Sequence, residues 1–201
     1  MTQENVVVVR FTEPSKAYQA LSVLKECDAS GRIGLESGAV VERTAAGELR
    51  MPERADNVGL VGTASGSLIG MLVGLLGGPL GVLLGWGTGA VAGSVYDLSR
   101  AEKSYEALGV LAKAIPPGST AVVADVDESA VEVIDGEMTK LDGEVTRRTV
   151  SDVLDEIEVV EVAAEAAAAE ARRVAREGRK AEITADLETR KAKLKEKLHI
   201  S

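Results

Sequence analysis

The stretch NVVVVRF, residues 5–11, is a run of β-branched residues near the start of a chain of 201 residues. It is long enough for a buried strand and too short for a helix that crosses a core. A helix is predicted directly after it, because Pro14 falls where the first helical turn would begin. Gly31 is expected to end that helix.

Two more strands are predicted before the chain changes character. Ile33–Arg43 and Glu48–Met51 have strand composition, and a turn around Ala46 and Gly47 joins them. The first part of the chain therefore reads β-α-β-β.

The part that follows a long glycine-rich stretch alternates helices and strands again. Capping boxes of the S-x-x-E form predict helices that begin near Ser99–Glu102 and Ser129–Glu132. Thr120–Val126 and Glu144–Val150 predict strands. The order in this part is α-β-α-β.

Taken together, residues 1–56 and 97–150 predict one α+β domain. We expect a small sheet with helices on one face. The pattern does not give the order of the strands, and a ferredoxin-like arrangement is the first expectation.

The glycine-rich stretch, residues 57–96, contains no charged residue and has a glycine at every fourth position in two series. Because residues i and i+4 share one face of a helix, each series would form a smooth stripe for close helix packing. Gly77-Gly78-Pro79 separates the series and would break the helix. We therefore predict an inserted glycine-zipper helical hairpin. Its packing residues are Gly62, Gly66, Gly70, Gly74, Gly78, Gly81, Gly85, Gly89 and Gly93.

The cost of these glycines indicates that the hairpin needs shielding from water. Each glycine costs roughly 1 kcal/mol relative to alanine inside a helix, which for the series is on the order of 9 kcal/mol. That is comparable with the stability of a whole domain. A lipid bilayer or packing against sister chains could offset it. Val58–Gly78 would span a bilayer at about 31 Å, but Leu80–Val95 would reach only about 24 Å, so both environments remain open.

The last part of the chain, residues 151–201, predicts a long amphipathic or coiled-coil helix rich in Ala, Glu, Lys and Arg. Residues 151–170 contain seven acidic residues and no basic one, whereas residues 172–197 contain ten basic and five acidic residues. The alternating spacing of four and three predicts a heptad seam that Gly178 interrupts. Its predicted members before Gly178 are Val153, Ile157, Val160, Ala164, Ala167, Ala171 and Val174. After Gly178 the seam is predicted to resume in a new phase at Ile183, Leu187, Leu194 and Leu198.

Composition excludes several classes of function. A net charge of −9 argues against nucleic acid as a partner, because binding to it needs clustered Lys and Arg. One cysteine, Cys27, allows neither an intrachain disulfide nor a cysteine-based zinc cluster. His199 is the only histidine and lies two residues from the end, so no base for a nucleophile is predicted.

One acidic cluster is the strongest candidate for metal chemistry. Asp125, Asp127 and Glu128 could supply oxygen ligands to Mg²⁺ or Ca²⁺. We expect instead that they are acids at the start of a helix, where the helix dipole favours them. The sequence thus predicts no catalytic residue, no cofactor and no metal site.

Three motifs together resemble a known family. They are VVVRFTEPSKAYQALSVLKE, the glycine hairpin, and the Pro-Gly-Ser-Thr stretch at residues 117–120. This pattern resembles a bacterial glycine-zipper family of unknown function whose members are usually described as membrane proteins. The resemblance covers roughly residues 5–151. It implies a membrane protein and indicates no chemistry.

These observations predict a non-enzymatic structural or scaffold protein that is membrane-associated and homo-oligomeric. Arginines and lysines flank the hairpin on both sides, which places both flanking domains in the cytoplasm. The alternative is a soluble, cytoplasmic self-assembling particle or shell with the glycine hairpins packed in its interior.

Overall fold

The computed structural model describes residues 2–56, 68–77 and 106–199. Contacts divide the chain into two compact units, residues 1–158 and residues 159–201. The described strands are β1 Gln3–Phe11, β2 Gly34–Arg43, β3 Leu49–Asp56, β4 Thr120–Glu128 and β5 Glu144–Thr149. The described helices are α1 Pro14–Ala29, α2 Leu68–Gly77, α3 Glu106–Lys113, α4 Glu132–Thr139 and α5 Val150–His199.

The strands form one sheet in the order β3-β2-β4-β1-β5, and every neighbouring pair is antiparallel. Without β3 the order is β5-β1-β4-β2, which is the ferredoxin-like order of two interleaved β-α-β units. The predicted α+β class is confirmed. The hairpin strand β3 adds one strand at the β2 edge.

A core lies between the sheet and helices α1 and α4. Val7 and Val9 from β1 meet Leu21 and Leu24 from α1 and Ile134 from α4, and all five are fully buried. At roughly 1.5–3 kcal/mol for each large apolar side chain, this layer supplies much of the stability of the domain.

The second face of the sheet is buried as well, so the prediction of helices on one face is wrong. Val6 and Val8 alternate with the core residues of β1, and both are fully buried. Helix α2 contacts β2, β3 and β4, and helix α3 contacts β5. An unbroken valine run is typical of a strand that is covered on both faces.

Gly31 and Gly47 lie where the sequence predicted a helix end and a turn. Gly31, Gly47 and Gly118 have positive φ angles of 68°, 87° and 78°, a conformation that costs glycine little. Asp142 has φ 57° in the turn between α4 and β5. The neighbouring Gly143 lies so close to the core that an added Cβ would be 2.7 Å from side-chain atoms of Phe11 and Val9.

Strand β4 continues beyond the predicted end, through Asp127 and Glu128. These residues pair with Glu4 and Gln3 of β1, so the strand ladder uses backbone groups that a helix start would leave unpaired. The predicted capping box at Ser129 does not form, because Val131 is the N-cap of α4 and makes no side-chain capping hydrogen bond. Tertiary pairing overrides the local helix signal here.

Candidate functional site

The long helix α5 carries the most exposed apolar surface among the described residues. It begins at Val150 directly after β5 and continues through Gly178 to His199. Its first turns belong to the folded domain, since Val150 is 6 % exposed, Val153 0 % and Ile157 4 %. Val153 and Ile157 were predicted to belong to a seam for a partner helix. That prediction is wrong for these two residues, because they are buried within their own unit.

Four other apolar side chains of α5 are exposed at heptad spacing. Val159 and Leu187 are four heptads apart, and Val162 and Ile183 are three heptads apart. Their exposed fractions are between 51 % and 62 %. We call Val159, Val162, Ile183 and Leu187 the exposed heptad stripe. Val174 is also 55 % exposed but lies outside this heptad frame.

Between the two ends of the stripe, Arg173 forms ion pairs with two acidic residues of the same helix. The Arg173 guanidinium lies 2.6 Å from a carboxylate oxygen of Glu170 and 2.9 Å from one of Glu177. Exposed pairs of this kind contribute little to stability. These pairs offset the positive charge of Arg173.

Two of the nine predicted zipper glycines, Gly70 and Gly74, lie in the described helix α2. Gly70 is buried, whereas Gly74 is exposed, and an added Cβ there would meet no described atom within 4 Å. The other seven, and the second helix of the predicted hairpin, lie outside the described residues. Their proposed packing role stays a prediction.

The apolar side chains of α2 are buried within the domain. Ile69 is 2 % exposed and Leu72 1 % exposed, and an added Cβ at Gly77 would lie 3.0 Å from the Cβ of Leu49 in β3. This part of the glycine-rich stretch therefore packs on the sheet of its own chain. Among the described residues, no helix combines the length and the apolar character needed to cross a membrane.

The acidic candidates separate onto two faces of β4, because alternate residues of a strand point in opposite directions. Glu128 lies on the α1 side with its carboxylate fully buried. It accepts hydrogen bonds from Arg147 Nε at 2.9 Å, Arg147 Nη2 at 3.1 Å and Asn5 Nδ2 at 3.0 Å. Arg147 Nη2 also lies 2.6 Å from Asp135 Oδ1.

This buried pair is a structural feature of the fold. Burial alone would lower the pKa of the Arg147 guanidinium, but its hydrogen bonds to Glu128 and Asp135 raise the pKa above its usual value. The bidentate geometry satisfies both oxygens of the buried carboxylate. Glu128 is thus committed to Arg147 and is not shared with Asp125 or Asp127.

Asp125 lies on the second face of the sheet, directly opposite Ser37 of β2. Asp125 is 7 % exposed and Ser37 is 4 % exposed. Burial raises the pKa of Asp125 to about 6, and the charges of Glu4, Glu36 and Asp127 add to the effect. The expectation that Asp125 is a helix-start acid is wrong, because it lies in the middle of a sheet.

The sequence offered no signal for Ser37 as a neighbour of Asp125. An irregularity in the register between Leu35 and Ser37 sets the pairing, and it inserts Glu36 as an extra residue in β2. Nothing in the composition around Glu36 marks a bulge. The pairing could be found only once the register was known.

Neither the cysteine nor the histidine joins a candidate site. Cys27 is fully buried in the core beneath α1, and burial raises the pKa of its thiol. His199 is the last residue of α5. Within residues 2–56, 68–77 and 106–199, no three His, Cys, Asp or Glu side chains are placed to hold one metal ion.

Part of the chain matches a known protein family. Residues 63–161 match the model of a protein family of unknown function, DUF1269. The DUF1269 match covers α2 to β5 and the first turns of α5, and it leaves β1, α1, β2 and β3 outside. This range differs from the expected 5–151 at both ends. No curated protein and no solved structure matched the chain.

Proposed function

We propose that this protein is a non-enzymatic structural or scaffold component that assembles with copies of itself through α5. The observation that carries the proposal is the exposed heptad stripe. Four large apolar side chains at a and d spacing are half or more exposed. Burying such side chains against a partner contributes roughly 1.5–3 kcal/mol each.

The charge distribution of α5 favours an antiparallel partner of the same sequence. Residues 151–170 are acidic and residues 172–197 are predominantly basic, so opposite ends attract when two copies run in opposite directions. In that arrangement Val162 of one copy can lie opposite Leu187 of the other. A parallel pair would place like charges side by side.

Sedimentation equilibrium of stripe variants tests this proposal. We expect the unmodified protein to be a dimer or larger, and Val162→Ser/Leu187→Ser to weaken association at least tenfold through lost apolar burial. Val174→Ser is the matched control, because it removes an equally exposed valine outside the heptad frame. A concentration of about 100 µM is far above the dissociation constant of a stable dimer, so an unmodified protein that is monomeric there would contradict the proposal. Equal weakening of association by Val174→Ser would contradict it as well.

The assembly could be attached to a membrane or could be a soluble particle, and one observation favours each alternative. The absence of charge from residues 57–96 favours attachment to a membrane through the glycine-rich stretch. The burial of Ile69 and Leu72 within the domain favours a soluble particle, because these side chains are not offered to lipid. Sedimentation in a pellet that only detergent releases supports the membrane form. A large particle in the detergent-free supernatant supports the soluble form.

Gly74→Leu tests the proposed packing role of the zipper glycines. A leucine Cβ meets no described atom within 4 Å at this position, and leucine favours the helix by roughly 1 kcal/mol, so the melting temperature should stay equal or rise. If the glycine stripe contacts another helix, the bulky side chain should reduce the mass of the assembly in light scattering.

A second glycine supplies the control for this test. Gly136 of α4 is also exposed with open space at its Cβ position, so Gly136→Leu should leave the mass unchanged. An assembly of unaltered mass in Gly74→Leu would argue against the glycine contact and leave the stripe of α5 as the interface.

A further inference from the structure

Two buried oxygen atoms on the second face of the sheet have no hydrogen-bond partner among the described residues: Asp125 Oδ1 and Ser37 Oγ. The two residues are direct cross-strand partners on β4 and β2, so their side chains emerge next to each other. Buried polar atoms without a protein partner are uncommon in folded proteins, and many of them bind an ordered water or an ion.

Three more carboxylates surround this pair. Asp127 and Glu4 are cross-strand partners on the same face of the sheet, and Asp127 lies two residues after Asp125 along β4. Glu36 lies on the bulge beside Ser37. Glu4 and Glu36 are exposed, and Asp127 is half-buried. All three charges act on Asp125. Negative charge is therefore concentrated around the buried carboxylate.

The described cations do not neutralise Asp125. Val6 of β1 is the cross-strand partner of Asp125, and Arg148 of β5 is the cross-strand partner of Val6 on its other side. Arg148 is thus the nearest basic residue along this line of paired residues. Arg148 Nη1 donates a hydrogen bond to the backbone oxygen of Arg147 at 2.8 Å. Helix α2, which covers β2, β3 and β4, contains no charged residue.

We propose that Asp125 and Ser37 bind a hydrated divalent cation of the Mg²⁺ class. A buried carboxylate needs a compensating positive charge, and a hydroxyl and a carboxylate are both oxygen ligands suited to a hard cation. Mg²⁺ keeps several waters and uses only one or two carboxylates in most protein sites. That preference matches a site with two protein oxygens.

The outer carboxylates act through water. No three acidic side chains among the described residues are placed to hold one ion directly, so in this proposal Glu4, Glu36 and Asp127 do not bind the ion themselves and act on it through its bound waters. Their charges also raise the local concentration of cations at the site. The site is independent of self-association through α5.

Titration of the full-length protein with MgCl₂ tests the proposal. We expect heat of binding in calorimetry and a rise in melting temperature relative to KCl at equal ionic strength, because a ligand of the folded state stabilises it. Asp125→Asn should abolish both signals, and Ser37→Ala should weaken binding several-fold. Backbone amide resonances of Ser37 and Asp125 should shift in NMR spectra on addition of Mg²⁺.

Asp155→Asn is the matched control, because it removes one exposed carboxylate from α5 and should bind Mg²⁺ as the unmodified protein does. Folding of Asp125→Asn is verified by its melting temperature in KCl, which should not fall. An unmodified protein that responds equally to MgCl₂ and KCl overturns the proposal and leaves a water between the two oxygens. Binding that persists in Asp125→Asn overturns it as well.

Discussion

Replacing Arg147 with alanine is expected to lower the free energy of unfolding by about 3–5 kcal/mol, the range seen when one partner of a buried ion pair is removed. The carboxylate of Glu128 is fully buried and loses its bidentate partner. Asp135 loses its ion pair at the same time. Urea denaturation followed by circular dichroism measures the loss.

Arg148→Ala is the control for this substitution, because the same type of side chain is removed from the next residue of β5. Among the described residues, Arg148 donates a hydrogen bond only to a backbone oxygen in its own strand, so we expect a loss within about 1 kcal/mol. The double variant Arg147→Met/Glu128→Gln should recover much of the stability, since no buried charge is left alone. Equal losses in Arg147→Ala and Arg148→Ala would show that the buried pair has no special role.

Gly143→Ala should be the second most damaging single change, with a loss of roughly 1–3 kcal/mol from overpacking. The added Cβ would lie 2.7 Å from atoms of both Phe11 and Val9 and 3.1 Å from the backbone oxygen of Met138. Phe11 and Val9 are core side chains with little room to move. The melting temperature and the midpoint of urea denaturation both check this.

Gly136→Ala, seven residues earlier in the chain, is expected to have the opposite effect on stability. An added Cβ in α4 meets nothing within 4 Å, and alanine is favoured over glycine in a helix by roughly 1 kcal/mol. We therefore expect Gly136→Ala to raise stability while Gly143→Ala lowers it. An equal loss of stability in both variants would contradict crowding at Gly143 as the cause of its effect.

Much of the fold could be predicted from local patterns. The valine run of β1, the helix end at Gly31 and the turn at Gly47 are all where the sequence predicts them. These signals are short-range, because they depend on side-chain volume, periodicity and backbone freedom. The strand order also agrees with the ferredoxin-like expectation.

The errors arise where long-range pairing decides between two local choices. Asp127 and Glu128 look like acids at a helix start, yet pairing with β1 keeps them in a strand. The first seam residues of α5 look available for a partner, yet Val153 and Ile157 are buried in the domain. Heptad spacing indicates an apolar face, but it does not say which surface covers that face.

The candidate sites were harder to predict than the fold. The stripe on α5 could be seen only in part, because burial distinguishes Val159 and Val162 from their neighbours. The environment of Asp125 depends on Ser37, which lies 88 positions away in the chain. An inserted residue in β2 brings the two together, and such an insertion leaves no compositional trace.

The one sulfhydryl of the chain offers a reporter for every variant described above. Cys27 lies in the core with no exposed surface, so a maleimide reagent can reach it only when the core opens. Its labelling rate therefore measures the frequency of opening without a spectroscopic tag. Faster labelling in Arg147→Ala and unchanged labelling in Val162→Ser/Leu187→Ser would separate damage to the domain from loss of assembly in a single assay.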